Sequence, residues 1–227
     1  MYSLIKKLDN MDTIAFRGAL FDLDGVLVDT ETTYSLFWGK MGRKYHPEIP
    51  CFDMVIKGST LPRILETYFP DSEISEGVKA ELEVFENSMD FPVFPGVMEF
   101  LADLRRNGIP AAIVTSSGAD KMKRLFDRNP EFASYFDALI TSADVTRSKP
   151  DPQCYLLGAG KLGVDIRDCC VFEDSISGLA AGMASGAKVI GLSTTYPTER
   201  LEQEGNAHYI MPSFEEFTVE KMMSVLL

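Results

Sequence analysis

Positive charge is the scarce quantity in this 227-residue sequence: 22 Lys and Arg stand against 34 Asp and Glu, a formal charge of −12. A field of that sign repels phosphate backbones and anionic lipid, so neither nucleic acid nor a membrane surface is an expected partner. Cysteine is sparse as well. Cys51, Cys154, Cys169 and Cys170 show no metal-ligand spacing and no disulfide framework, and Cys169-Cys170 falls inside an apolar run that reads as a buried strand. A reducing cytoplasm is the expected compartment. No stretch approaches the ~20 apolar residues that span a bilayer, and the opening residues carry no apolar segment of signal-peptide length. Internal repeats and low-complexity tracts are missing too, which argues against an array of small modules.

What is present suffices for a core. With 45% hydrophobic and 25% charged residues, the composition is that of a folded protein with one large domain, or a core domain carrying a smaller insertion. Short apolar runs predict strands at Arg17 to Asp22, Pro110 to Thr115, Asp137 to Thr141, Cys169 to Phe172, Lys188 to Leu192 and His208 to Met211. Helical patterns lie between them at Val97 to Asn107, Asp120 to Arg128, Pro152 to Leu162, Ser175 to Ser185, Thr198 to Glu204 and Phe214 to Leu226. Asp151 before Pro152 reads as an N-cap, and Gly163 and Gly186 as helix stops. Such alternation predicts an α/β fold, a doubly wound, Rossmann-like parallel sheet with helices on both faces and a ligand crevice at the carboxyl ends of its strands.

One stretch breaks the rhythm. Residues 31–91 carry helical patterns at Thr33 to Arg43, Leu61 to Tyr68 and Ser75 to Met89 but no buried strand, which predicts an inserted helical cap domain able to act as a lid. The expected organisation is an N-terminal extension over 1–16, a core domain over 17–30 and 92–227, and the cap over 31–91.

The polar residues that follow the strands carry the chemistry. Asp22-Leu23-Asp24-Gly25 ends the first strand with two carboxylates; alone, it reads equally well as a turn. A calcium loop is poorly matched, because Val26, Leu27 and Val28 stand where oxygen ligands belong. Thr115-Ser116-Ser117-Gly118 offers hydroxyls and backbone N–H groups ahead of a helix, a phosphate cradle or a simple capping turn. Lys149 lies in a Pro-flanked turn, and Glu173-Asp174-Ser175 places a second acidic pair after an apolar strand. Carboxylates crowded in one crevice repel each other, and a divalent cation is the usual remedy.

In combination these segments resemble the haloacid dehalogenase superfamily of aspartate-nucleophile phosphotransferases. Four motifs stand in order: Phe21 to Thr30, Ile113 to Ser117, Ser148-Lys149-Pro150 and Glu173-Asp174-Ser175. The long helical insertion after the first is similar to the branch containing beta-phosphoglucomutase and small sugar-phosphate phosphatases. The resemblance implies that Asp22 is the nucleophile and Asp24 the general acid and base, with Thr115, Ser116 and Lys149 binding the phosphoryl group. It also implies Mg²⁺ held by Asp22, Asp24 through its backbone carbonyl, Asp174, and Glu173 directly or through water. Dehalogenating members lack a carboxylate matching Asp24, so phosphoryl chemistry is expected.

The implied activity is a phosphatase acting on a small phosphorylated metabolite, with a sugar phosphomutase as the alternative and a non-catalytic phosphometabolite binder ranked below both. A mutase needs a fixed cap Arg to grip a second phosphate. Leu61 stands at that position, Arg63 lies beyond Pro62, and Tyr34 replaces the usual hinge His, although Trp38 fits the mutase pattern. Lys57, Ser59, Thr60 and Arg63 are candidate substrate contacts or simply a solvated helix end. A monomer or weak homodimer is expected.

Overall fold

A computed structural model of the chain describes residues 16–56 and 61–227. These form two compact units: Asp29–Pro92, and the rest of the chain up to Val28 and from Val93–Leu227. Asp29–Pro92 is helical, with α1 (Thr30–Tyr45), α2 (Phe52–Val55), α3 (Leu61–Tyr68) and α4 (Ser72–Ser88). Helix α1 begins three residues earlier than its apolar pattern predicts because Asp29 caps it, its Oδ1 accepting the Thr32 N–H at 3.0 Å. Asp71 does the same for α4 through the N–H groups of Glu73 and Ile74. Each such cap stabilises by about 1 kcal/mol. Trp38 packs edge-on against Phe37, ring centroids 5.1 Å apart, in a core shared with Met41, Phe52 and Leu65. The four-residue α2 escaped sequence reading because it is too short to show a helical period.

The larger unit holds six parallel strands: β1 (Gly18–Phe21), β2 (Ala111–Val114), β3 (Ala138–Ile140), β4 (Cys169–Glu173), β5 (Lys188–Leu192) and β6 (Tyr209–Met211). Their order is β3-β2-β1-β4-β5-β6, so the winding direction reverses between β1 and β4. At such a switch point the loops after neighbouring strands part and leave a crevice at their carboxyl ends. Strands β1, β2 and β4 are buried on both faces, which is why they read as continuous apolar runs. On one face Phe21 stacks on Phe172 with centroids 4.5 Å apart, and Phe100 meets Phe172 edge-on at 5.4 Å. Full burial of each ring stabilises by about 1.5–3 kcal/mol, which makes this cluster a main anchor of the switch point. Leu20, Val114 and Val171 cover the other face together with Tyr155 and Leu179.

Flanking the sheet are α5 (Val97–Arg106), α6 (Ala119–Arg128), α7 (Pro130–Ala133), α8 (Gln153–Leu162), α9 (Ile176–Ser185), α10 (Thr198–Glu204) and α11 (Val219–Leu226). Several boundaries differ from expectation, and two of them have a clear local cause. Helix α8 starts one residue late, with Asp151 Oδ1 accepting the Gln153 N–H at 2.9 Å. Helix α11 starts at Val219 rather than Phe214, because Phe214 and Phe217 are drawn into the aromatic cluster and Glu216 adopts a left-handed φ of 57°. Among the described residues no helix is long and apolar enough to cross a membrane.

Candidate active site

The register of the sheet sets the site. Phe21 pairs with Phe172, and the Asp22 N–H donates to the Phe172 carbonyl at 3.0 Å, so Asp22 and Glu173 leave neighbouring strands at the same height. Lys149 Nζ joins them, donating to Asp22 Oδ1 at 2.5 Å and to Glu173 Oε1 at 2.6 Å. It also reaches the Val114 carbonyl, at 3.4 Å, at the end of β2. Burial alone would pull the Lys149 ammonium down, but Asp22 and Glu173 outweigh it and hold its pKa well above the ordinary value. The Lys149 side chain is 8% exposed.

Glu173 is an organiser. Its Oε1 accepts from Lys149 Nζ and from Tyr155 Oη at 3.0 Å, and its Oε2 accepts from the N–H groups of Asp174 and Ser175 and from Ser175 Oγ. Gly178 makes room for it, since a Cβ there would lie 1.7 Å from Oε1. Asp174 is buried against Gly25, where φ is +82° and a Cβ would fall 2.1 Å from Asp174 Oδ2; the same oxygen accepts from Thr195 Oγ1. Asp24 stands on the more open side, its Oδ1 bonded to Lys121 Nζ at 2.7 Å and its Oδ2 to Ser117 Oγ at 2.9 Å. Thr115, buried at the end of β2, accepts the Ser117 N–H on its Oγ1 at 3.0 Å, and Ser116 is exposed in the same loop.

A buried Asp at the switch point, bonded to a buried Lys, is the arrangement to set beside known proteins. The sequence matches the haloacid dehalogenase-like hydrolases over residues 16–186. The chain belongs to that family. Among relatives, hexitol phosphatase A of Escherichia coli is 31% identical over 213 residues, covering 90% of this chain and 94% of that protein. Glycerol-1-phosphate phosphohydrolase 1 of Saccharomyces cerevisiae is 30% identical, covering 85% and 81% of the two chains. A crystal structure of a HAD hydrolase, family IA, variant 3 from Entamoeba histolytica superposes with a TM-score of 0.78 at 25% identity, over 93% of this chain and 99% of that one.

For this haloacid dehalogenase-like hydrolase, Glu173, expected to reach the metal directly or through water, is the most heavily bonded of the four implied ligands. Its carboxylate offers about four lone-pair directions and receives five donors, which favours the water-mediated reading over the direct one. Among the described residues no three His, Cys, Asp or Glu side chains form a metal-holding group. The donors that remain still fit Mg²⁺, which takes one or two carboxylates and keeps several waters. Lys149 pairs with Asp22 and Glu173, and Asp174 is buried beside Glu173 in the chain, so when ionised the three carboxylates exceed that ammonium by two negative charges, which one divalent cation balances.

That excess has a measurable signature. Burial, only partly offset by Lys149, pushes Asp22 up to about 7, and burial with the nearby Glu173 and Asp22 charges pushes Asp174 up to about 8. Raised carboxylate values mean that the folded chain binds more protons than the unfolded one between the ordinary carboxylate range and about pH 8. Metal-free stability therefore falls as pH rises through that window. The melting temperature in EDTA is expected to drop from about pH 5.5 to about pH 8.5, and Mg²⁺ to raise it more at the higher pH. A flat or rising EDTA profile would refute this.

Several site residues were not foreseen. Tyr155, Lys121, Thr194 and Thr195 all contact groups at the carboxyl ends of strands; Thr194 Oγ1 donates to the Gly25 carbonyl at 2.5 Å. Thr194 and Thr195 follow β5, so the hydroxyl rule applied to β2 would have found them. Arg63 is exposed on α3, whereas Lys57, Ser59 and Thr60 lie outside the described residues.

Proposed function

We propose that the chain is a Mg²⁺-dependent phosphatase that hydrolyses a small phosphomonoester, a polyol or sugar phosphate, through an aspartyl-phosphate. The observation that carries the reading is Asp22 itself, a buried carboxylate at the switch point held by Lys149 Nζ at 2.5 Å while Asp24 is held separately. The names of the two relatives, a hexitol phosphatase and a glycerol-1-phosphate phosphohydrolase, support the substrate class. Four unpaired thiols agree with a cytoplasmic setting.

Asp22 attacks phosphorus as the bond to the ester oxygen breaks, and the proton of Asp24 passes to the leaving alcohol. Asp24, now a carboxylate, takes a proton from water as that water attacks the aspartyl-phosphate, releasing inorganic phosphate and restoring Asp22. Thr115, the Ser116 backbone N–H and Lys149 orient the phosphoryl oxygens and offset their charge. Asp22, the Asp24 carbonyl and Asp174 would hold Mg²⁺, which when bound supplies further charge neutralisation. Glu173 acts through its neighbours, fixing Lys149 and the Asp174 backbone.

The mutase alternative is disfavoured by Leu61, which packs on the helical core where a mutase needs a cationic side chain, and by Tyr34, whose hydroxyl donates to Glu86 at 2.8 Å. The deciding experiment follows phosphate release from hexitol, hexose, pentose and glycerol phosphates with Mg²⁺ and with EDTA, beside a coupled assay for beta-glucose 1-phosphate isomerisation. Metal-dependent phosphate release without isomerisation is expected. Efficient isomerisation with little free phosphate would establish the mutase instead.

A further inference from the structure

Two groups that hold the Asp24 carboxylate come from one stretch of chain, the loop and first helical turn that follow β2. Lys121 Nζ donates to Oδ1 at 2.7 Å and Ser117 Oγ to Oδ2 at 2.9 Å. The ion pair is partly desolvated, with side chains 16% and 29% exposed, which distinguishes it from the solvated pairs on the surface of the molecule. None of the four motifs contains Lys121. We infer that Lys121 is a positioning residue for Asp24, holding the carboxylate by Oδ1 so that Oδ2 is the atom that gives up and regains the proton. The inference rests on the assignment of Asp24 as acid and base proposed above.

What each partner can do decides which oxygen carries the proton. An ammonium has three donors and no acceptor, so Oδ1 faces a group that can only donate. A proton placed on Oδ1 would have to displace that bond. A serine hydroxyl donates or accepts by rotation, so Oδ2 keeps a partner whether or not it carries the proton. The carboxylate can therefore pass between its acid and base forms without turning. Ser117 and Lys121 are four residues apart across Gly118, where α6 begins, so the rigid start of one helix sets both contacts. In a variant without the Lys121 ammonium, the Asp24 carboxylate loses that anchor and can rotate, and misplacing a proton donor by about 1 Å costs up to about 100-fold in rate.

The leaving group reads this directly. An alkyl phosphate needs its departing oxygen protonated, whereas p-nitrophenolate departs without help, so loss of acid catalysis is felt chiefly by the alkyl ester. The test compares the full chain with Mg²⁺ against Lys121→Met, Lys121→Arg, Asp24→Asn and the Lys121→Met/Asp24→Asn double variant, on glycerol phosphate and on p-nitrophenyl phosphate. Lys121→Met is expected to lower kcat on the alkyl ester by about 10- to 100-fold, with at least a tenfold smaller loss on the aryl ester and little change in KM. Lys121→Arg should recover part of the loss, and the double variant should be no slower than Asp24→Asn, because the two side chains act as one unit.

Equal losses on both esters accompanied by a lower melting temperature would overturn the inference in favour of a structural role. A rise in KM on both esters at unchanged kcat would overturn it in favour of phosphate binding, and so would additive losses in the double variant. These outcomes leave the phosphatase reading intact. Absence of metal-dependent phosphate release from either ester by the unsubstituted chain would instead overturn the assignment of Asp24, and this inference with it.

Discussion

Asp22→Asn is expected to lower phosphate release by at least about 10⁴-fold while leaving the fold in place, because removal of a nucleophile leaves only binding and electrostatic assistance. An amide has no carboxylate oxygen to form the acyl-phosphate, yet it fills the same volume at the end of β1. The fold survives because Lys149 keeps its bond to Glu173 Oε1 at 2.6 Å, so no buried ammonium is stranded. Substitution also removes one of the three carboxylates buried in the site. The metal-free variant is therefore expected to melt at or above the temperature of the parent at alkaline pH. Three measurements check this together: steady-state phosphate release, acid-quench trapping of a phosphoenzyme in the parent but not the variant, and a melt in EDTA. Residual activity above about 1% would remove Asp22 from its role.

The elements this prediction depends on were legible for a physical reason. Central parallel strands are buried on both faces, so Gly18–Phe21, Ala111–Val114 and Cys169–Glu173 announce themselves as apolar runs, and the first polar residue after each marks the sheet's carboxyl edge. That rule alone placed Asp22, Thr115 and Glu173. The order β3-β2-β1-β4-β5-β6 was beyond local pattern, since it depends on which strand each crossover returns beside. Contacts made by helical residues were also hidden: Tyr155 lies inside α8 and Lys121 in the first turn of α6, where a polar tip reads like any other helix residue until its neighbour is known. Which way Glu173 would serve a metal, directly or through water, was not legible either, because sequence shows its charge and not the five donors that converge on it. The start of α11 slipped by five residues, since Phe214 and Phe217 satisfy a helical period while packing instead beside Phe100.

Lys149→Met should be more damaging to stability than loss of the nucleophile, because it breaks the fold's electrostatic balance as well as the chemistry. Methionine keeps most of the length of the alkyl stem but loses the ammonium that lies 5.1 Å from the Tyr155 ring centroid, and Asp22 and Glu173 then lose the cation they share. Removing one partner of a buried ion pair costs about 3–5 kcal/mol. For a chain of this size that corresponds to a melting temperature lower by roughly 10 °C. The deficit should grow with pH, since burial already raises Asp22, which regains neutrality by protonation in acid and is stranded as a charge in base. Activity should fall by at least about 10³-fold at any pH, because Lys149 is the cation bonded to Asp22 and Thr115 and the Ser116 N–H bring only neutral donors to the phosphoryl oxygens. The double variant Lys149→Met/Glu173→Gln separates the two effects. The amide introduced by Glu173→Gln would remove one of the stranded charges while its carbonyl oxygen still accepts from the Asp174 and Ser175 N–H groups, so stability should return in part and activity should not. A single variant that melts within about 1 °C of the parent near pH 8, or a double variant that recovers turnover, would contradict the assignment of Lys149 as the cation on which the buried carboxylates depend.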